Sequence, residues 1–244
     1  MDILITNDDG IESEGLKALK EALATIGTVA VVAPDREQST SSHAITLHRP
    51  LRVKWVSNEL CAVDGTPADC VNLSINGILK SRPKVLVSGI NKGENLGDDV
   101  TYSGTVSAAI EGTLIGIPSI AISLVAREDF MFEAAASFSK KIVKLVLAHG
   151  LPKDTLLNIN VPNLPEEEIE GVEITRQGKR VYGDAIVEKT DPRGKKYYWI
   201  GGDILGYREI PGSDFDAISR NRISVTPLKL DLTDYNAMET LETW

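Results

Sequence analysis

Apolar runs and helical patterns alternate from the start of the chain. An apolar run at residues 3–5 is followed by leucines at helical spacing within residues 13–26, with Ser13 as the cap and Gly27 as the stop. A continuous apolar run then covers residues 28–33. Such runs are typical of strands that are buried on both faces of a parallel sheet. The pattern therefore predicts a β-α-β unit at the start of the chain.

The same alternation predicts most of the later elements. Thr66 followed by Pro67 is typical of a helix start, because the hydroxyl caps the helix and proline suits its first position. Further helices are predicted at residues 105–115 and 132–148. Strands are predicted at residues 44–47, 51–56, 85–87, 118–124, 156–161 and 223–228. This order indicates an α/β fold with a mainly parallel sheet.

The composition changes after Pro162, where acidic residues and scattered glycines replace the strand-helix rhythm. Residues 179–184 and 196–200 are predicted to form the arms of a long hairpin around residues 191–194. A projecting hairpin is marginally stable alone, so we expect it to pack on a partner subunit. The chain is thus expected to divide into a core, 1–165, and an extension, 166–244, whose last strand returns to the core.

Charge and cysteine content narrow the function classes. The 244 residues are 42% hydrophobic and carry a net charge of −9. This charge disfavours extended nucleic acid and anionic membrane as partners, although a bound cation still admits a small phosphorylated substrate. No membrane-length apolar stretch or signal pattern is present. Because Cys61 and Cys70 have neither metal nor disulfide spacing, we expect a reducing, cytoplasmic compartment.

Two adjacent carboxylates follow the first predicted strand. Asp8 and Asp9 stand in the segment Thr-Asn-Asp-Asp-Gly at residues 6–10. Ligand sites of open parallel sheets form beyond the carboxyl ends of the strands. Adjacent carboxylates repel each other unless a cation lies between them, and Mg²⁺ or Mn²⁺ suits such oxygen ligands. The alternative is a simple turn, which this segment also favours.

Small polar residues fill three further loops at predicted strand ends. Ser39 follows the second strand, Asn91 and Asn95 follow residues 85–87, and Ser103-Gly104-Thr105 opens a helix. In a parallel sheet these loops meet Asp8 and Asp9 at one edge, where their oxygens could hold a hard cation. The helix start offers backbone N–H groups and a partial positive charge, which suit a phosphate. Each loop alone also fits a solvated loop, a turn or a helix cap.

Other chemical candidates have stronger structural explanations. His43 and His48 could act as general acids, but a histidine beside an apolar segment more often packs or caps. Asp98 and Asp99 lie near the predicted site and also fit a solvated charge pair. The aromatic cluster at residues 197–199 is interpreted first as an interface core and second as a surface on which a base stacks.

Several of these motifs, in this order, resemble the SurE family of stationary-phase survival proteins, which are metal-dependent nucleoside monophosphate phosphatases. The resemblance covers essentially the whole chain. The segments that carry it are ILITNDDG at residues 3–10, VAPDR at 32–36 with Ser39, GTPADCV at 65–71, VSGIN at 87–91 through Asn95-Leu96-Gly97, YSGTV at 102–106 and SVTPL at 224–228.

The resemblance implies a fold and a set of residue roles. The fold is a Rossmann-like, three-layer α/β core with a projecting C-terminal hairpin used for assembly as a homodimer or homotetramer. It implies one divalent cation per subunit, Mg²⁺ or Mn²⁺, and 5′- or 3′-nucleotides as substrates, with short polyphosphate for some members. The implied metal ligands are Asp8, Asp9, Ser39 and Asn91, and the implied phosphate-binding residues are Asn95, Ser103, Gly104 and Thr105.

The expected reaction is hydrolysis of a phosphate monoester, in which catalysis depends on positioning and charge stabilisation. The nucleophile is either metal-linked water or the Asp8 carboxylate, and the sequence does not choose between them. A receiver-type signalling module and a haloacid-dehalogenase-type phosphatase fit less well, since they require a different chain length or an Asp-x-Asp pattern. A dinucleotide-binding dehydrogenase lacks its Gly-x-Gly-x-x-Gly motif here. A nucleotide-binding sensor without turnover remains an alternative.

Overall fold

Strands and helices alternate along the chain as the hydrophobic pattern predicts. The structure is a computed structural model that describes residues 1–181, 186–200 and 206–244. Its elements in chain order are β1 (Ile3–Thr6), α1 (Glu14–Ala24), β2 (Val29–Pro34), β3 (Val53–Trp55), β4 (Leu60–Val63), α2 (Pro67–Leu73), β5 (Val85–Lys92), α3 (Gly104–Leu114), β6 (Ser119–Val125), α4 (Phe132–His149), β7 (Thr155–Pro162), β8 (Val172–Ile174), β9 (Arg180–Val181), β10 (Ile186–Thr190), β11 (Lys196–Ile200), β12 (Gly206–Tyr207), α5 (Asp214–Ser219), β13 (Ile223–Lys229) and α6 (Tyr235–Leu241).

A nine-stranded sheet forms the centre of the fold, in the order β3-β4-β2-β1-β5-β6-β7-β13-β8. The run from β4 to β7 is parallel throughout, whereas β3 and β13 are antiparallel to their neighbours β4 and β7. The order of strand addition reverses at β1, which lies between β2 and β5. In open α/β sheets a crevice for ligands forms at such a reversal, beyond the carboxyl ends of the strands.

Helices cover both faces of this sheet and create three layers. On one face, α1 and α4 pack against alternate residues of β1 and β5, with Leu19 and Val143 fully buried. On the other face, α2 and α3 contact the remaining residues, with Val71 and Ala108 fully buried. The predicted Rossmann-like α/β class with a mainly parallel sheet and a C-terminal hairpin is confirmed. No helix among the described residues is both long and apolar enough to cross a membrane.

Helix starts agree closely with the sequence prediction. The Ser13 hydroxyl accepts a hydrogen bond from the backbone of Leu16 and caps α1. Thr66 and Asp69 form a reciprocal capping box at α2, with Pro67 in the first turn. Caps are local, so a few residues of sequence specify them.

Two element predictions are corrected by the structure. Residues 44–47 are not a strand, because the Thr66 hydroxyl donates to Ala44 O and the Asp69 carboxylate accepts from Thr46 N, which ties their backbone to the start of α2. The hairpin pairs β11 with β10 at Ile186–Thr190, whereas residues 179–184 were predicted as the partner arm. Of that predicted arm, residues 180–181 form β9 and pair with β12, and residues 182–184 lie outside the described residues. The short strands β4 and β8 were not predicted.

Candidate active site

The loops that follow β1, β2 and β5 meet the start of α3 at the carboxyl edge of the sheet. Five of the eight residues predicted from the sequence line one cavity of about 330 Å³ there. The cavity is lined by Asp8, Ser39, Thr40, Asn91, Lys92, Glu94, Asn95, Asp99, Tyr102 and Ser103. Its position beside β1 and β5 is the reversal point of the sheet.

The three remaining predicted residues contact this cavity's lining. Asp9 is half-buried, and its Oδ2 accepts a hydrogen bond of 3.1 Å from the backbone of Lys92. Thr105 is fully buried and donates its hydroxyl to Asp8 Oδ1. A Cβ at position 104 would lie only 2.8 Å from Asp8 Cβ, so glycine allows the start of α3 to approach Asp8. The structure therefore brings all eight residues into one region.

Asp8 is a buried carboxylate without a cationic partner. The residue is 5% exposed, and none of the ion pairs formed by the described residues includes Asp8 or Asp9. Burial raises the pKa of Asp8 to about 6, an effect that the Thr105 hydroxyl opposes and the Asp9 charge reinforces. Burial also raises the pKa of Asp9. A buried, uncompensated carboxylate is costly unless a cation or a proton neutralises it.

The neighbouring oxygens suit a hard cation. Asn91 donates its Nδ2 to Gly93 O at 2.9 Å, so its Oδ1 is the atom left for a ligand. Ser39 belongs to a loop that is tied to Asp8, because Gln38 N donates to Asp8 O at 2.8 Å. Within the described part of the chain, no cluster of three or more His, Cys, Asp or Glu forms a metal site. A cation here would therefore need hydroxyl and amide oxygens beside the two carboxylates, a donor set typical of Mg²⁺ or Mn²⁺.

Asn95 is held in place by residues that were not predicted from the sequence. Its backbone oxygen accepts hydrogen bonds from Asn158 Nδ2 at 2.8 Å and Asn160 Nδ2 at 3.0 Å, and its own Nδ2 donates to Ser123 Oγ at 2.7 Å. Asn158 and Asn160 are fully buried in β7. Two asparagines at alternate positions of an apolar run are the signal that could have identified them, because alternate residues of a strand share one face.

The C-terminal part of the chain holds the wall of the cavity. The buried Asp214 carboxylate accepts hydrogen bonds from the backbone N–H groups of Gly97 at 2.8 Å and Gly178 at 2.9 Å. Gln177 Nε2 donates to Gly97 O at 2.7 Å, and Arg180 binds Asp99 in the lining. The contacts of Gly97 and Asp99 join residues 80 to 117 positions apart, so local sequence patterns gave no signal for them.

His43 lies outside the cavity. Its Nε2 is 2.9 Å from Glu111 Oε2, and Asn72 donates to the other carboxylate oxygen at 2.7 Å. The same histidine lines a separate, mainly apolar groove. This arrangement agrees with the interpretation of His43 as a packing residue rather than with proton donation in the cavity.

Comparisons with known proteins place the whole chain beside one family. The family described as "Survival protein SurE" matches residues 3–184. The chain is 57% identical to the 5′-nucleotidase SurE of Geobacter sulfurreducens, over all of this chain and 94% of that protein, and 57% identical to that of Geotalea uraniireducens, over 99% of that protein. The crystal structure of the SurE protein from Aquifex aeolicus superposes with a TM-score of 0.89 at 46% identity, covering 100% of this chain and 99% of that one. The chain therefore belongs to the SurE family.

Proposed function

We propose that this protein is a divalent-metal-dependent phosphatase that hydrolyses nucleoside monophosphates to nucleoside and phosphate. The curated relatives are named 5′-nucleotidases and align over the full chain. The observation that carries the proposal is the buried Asp8 carboxylate, which faces the first turn of α3 in an open cavity. 5′-Nucleotides are the first candidate substrates, and 3′-nucleotides and short polyphosphate are the next.

The metal site of this proposal consists of Asp8, Asp9, Ser39 and Asn91. The donor set is two carboxylates, one hydroxyl and one amide oxygen, and the remaining coordination positions are left for water and substrate. A bound Mg²⁺ or Mn²⁺ would supply Lewis-acid stabilisation of the charge on the phosphoryl group. Thr105 orients Asp8 by donating to its Oδ1, which leaves Oδ2 directed toward Gly104.

The phosphate-binding part of this proposal consists of Asn95, Ser103, Gly104 and Thr105. Ser103 Oγ accepts from Val106 N at 3.1 Å and so fixes the first turn of α3. The N–H groups of that turn carry the positive end of the helix dipole and can bind phosphoryl oxygens. Donors held in place before the reaction stabilise the developing charge without further reorganisation.

An aromatic residue at the cavity suits the nucleoside part of the substrate. Tyr102 lines the cavity and is 59% exposed, so a base could stack on its ring. The hairpin aromatics at residues 197–199, considered for this role from the sequence, do not line the cavity. We therefore assign base stacking to Tyr102 and keep the hairpin for assembly.

Phosphate release from a substrate panel tests the proposed function. Purified protein with Mg²⁺ or Mn²⁺ is incubated with the four common 5′-monophosphates, 3′-AMP and p-nitrophenyl phosphate. We expect phosphate from the 5′-nucleotides, with a higher kcat/KM than for p-nitrophenyl phosphate because the base contributes binding energy. Binding of nucleotides without phosphate release under either metal would instead identify a sensor and contradict the proposal.

Assembly through the β10–β11 hairpin is part of the proposal. The hairpin is largely exposed, and Trp199 is 60% exposed on the strand opposite Val187. An isolated hairpin with exposed apolar residues is more stable when it packs on another subunit. A homodimer or homotetramer is proposed, and the division into 1–165 and 166–244 stays a prediction.

The buried free thiols of Cys61 and Cys70 and the net charge of −9 support a cytoplasmic enzyme without extended nucleic acid or membrane as a partner.

Replacing Trp199 with Ser is expected to weaken that assembly. Loss of a large aromatic contact at an interface raises the dissociation constant by about 10-fold or more. Light scattering over a dilution series measures the mass of wild type and variant. Lys195→Ser, in the adjacent turn, is the matched control and should behave as wild type. An unchanged mass for the Trp199 variant at every dilution would show that the hairpin is not an interface.

A further inference from the structure

Ser41 carries a buried hydroxyl that lacks a hydrogen-bond partner. Its Oγ is one of the few fully buried side-chain oxygens for which the described residues provide no partner. Buried polar atoms without partners are rare in folded proteins and cost about 1–3 kcal/mol, so each one requires an explanation. A ligand that completes the hydrogen bond is one such explanation.

The location of this hydroxyl points to the candidate active site. The point where a Cβ on Gly104 would lie is 2.9 Å from Ser41 Oγ and 2.9 Å from Asp8 Oδ2. Ser41 Oγ therefore lies close to both the first turn of α3 and the free oxygen of the Asp8 carboxylate. Ser39 and Thr40, its neighbours in the chain, line the cavity.

The backbone around Ser41 is fixed by contacts that do not involve its hydroxyl. Ser41 N donates to Gln38 O at 3.3 Å, and Ser42 N donates to Tyr102 O at 3.2 Å. The Ser42 hydroxyl donates to Thr101 O at 2.8 Å. Since these bonds hold the loop, the Ser41 hydroxyl is not needed to stabilise it. The two adjacent serines thus differ, because one anchors the loop and the other keeps a free donor.

We propose that the Ser41 hydroxyl donates a hydrogen bond to an oxygen of the bound phosphoryl group. A phosphoryl group at the first turn of α3 would bring an anionic acceptor close to Ser41 Oγ, which lies beside Gly104. A hydrogen bond to a charged oxygen is stronger than one to a neutral oxygen, so this bond would offset the cost of burying the Ser41 hydroxyl. The effect on catalysis rests on the proposed function, whereas the binding of phosphate does not.

Ser41→Ala tests the proposal with inorganic phosphate as the probe. We expect the dissociation constant of phosphate, measured by thermal shift with Mg²⁺ present, to rise about 10- to 100-fold. The melting temperature of the ligand-free variant should equal or exceed that of wild type, because an unpartnered polar atom is removed. Where nucleotides are hydrolysed, kcat/KM should fall by a similar factor.

Ser42→Ala is the matched control, since it removes a hydroxyl that has a partner. It should lower the melting temperature and change the phosphate dissociation constant by less than about 2-fold. A Ser41 variant that binds phosphate as wild type does would overturn the proposal, as would equal weakening in both variants. If wild type binds phosphate but hydrolyses no nucleotide, the proposed function fails while the role of Ser41 is still decided by these affinities.

Discussion

Replacing Asp8 with Asn is expected to reduce phosphatase activity by about 10³-fold or more while the fold is retained. The change removes one negative ligand from the proposed cation site, and metal-ion stabilisation of the transition state contributes several kcal/mol. The amide oxygen can still accept the Thr105 hydrogen bond, so the first turn of α3 should keep its position. Phosphate release and circular dichroism measure the two effects. Asp154→Asn, at an exposed carboxylate just before β7, is the control and should stay active.

The same variant is expected to be more stable than wild type when metal is absent. Burial raises the pKa of Asp8 from its ordinary value of 3.8 to about 6 in the folded protein. The folded state therefore binds the Asp8 proton more tightly than the unfolded state does. Its stability falls as the pH rises from about 4 to about 6. Above that range the ionised Asp8 carboxylate lowers the free energy of unfolding by about 3 kcal/mol.

Asparagine does not ionise, so Asp8→Asn should melt at a higher temperature than wild type at pH 8 in EDTA. This advantage should shrink toward pH 4, where Asp8 is protonated in wild type. Calorimetry at the two pH values measures the difference. A variant that melts below wild type at pH 8 would contradict the account of Asp8 as a destabilising, functional carboxylate.

Removal of divalent metal is expected to have the second large effect, again a loss of about 10³-fold in activity. Without a cation, a phosphate group entering the cavity would meet Asp8 in the lining, with Asp9 next to it in the chain, and neither carboxylate has an ion-pair partner among the described residues. The negative charges of the phosphate and of these carboxylates repel each other, so both phosphate binding and turnover should fail. Activity after exhaustive chelation, and again after addition of Mg²⁺ or Mn²⁺, is the measurement.

Thermal shift provides a check of the metal that does not depend on turnover. A cation that binds the folded state stabilises it by mass action, so Mn²⁺ should raise the melting temperature of wild type. The same addition should have little effect on Asp8→Asn. Full turnover in the chelated protein, or equal stabilisation of both proteins by Mn²⁺, would show that activity does not depend on a cation bound at Asp8.

The elements that the sequence predicted well are specified by local patterns. The apolar runs of β1, β2, β6 and β7 and the capped starts of α1 and α2 lie within a few residues of their predicted positions. The failures occur where long-range contacts decide the structure. Residues 44–47 form a short, mostly apolar run that resembles a strand, yet Thr66 and Asp69 bind their backbone instead. The short strand β4 pairs with β2 in the sheet, and four residues give too weak a pattern to predict it.

The candidate site was predictable to the extent that it lies at strand ends. Asp8 follows β1, and Asn91 lies near the carboxyl end of the adjacent parallel strand β5, so the topology alone brings them to one edge. The residues that hold the site were not predictable in this way. Asp214 and Arg180 reach the cavity wall from the C-terminal part of the chain, and only the folded structure shows that contact. The Ser41 hydroxyl lacks the hydrogen-bond partner that the Ser42 hydroxyl has, and this difference is a property of the packed loop.

Anomalous diffraction from crystals soaked with Mn²⁺ and inorganic phosphate tests the central claim most directly. We expect one manganese peak per subunit, with oxygens of Asp8, Asp9, Ser39 and Asn91 within about 2.6 Å of it, and phosphate between that ion and the first turn of α3. A manganese peak away from Asp8, or phosphate bound elsewhere in its presence, would contradict the account.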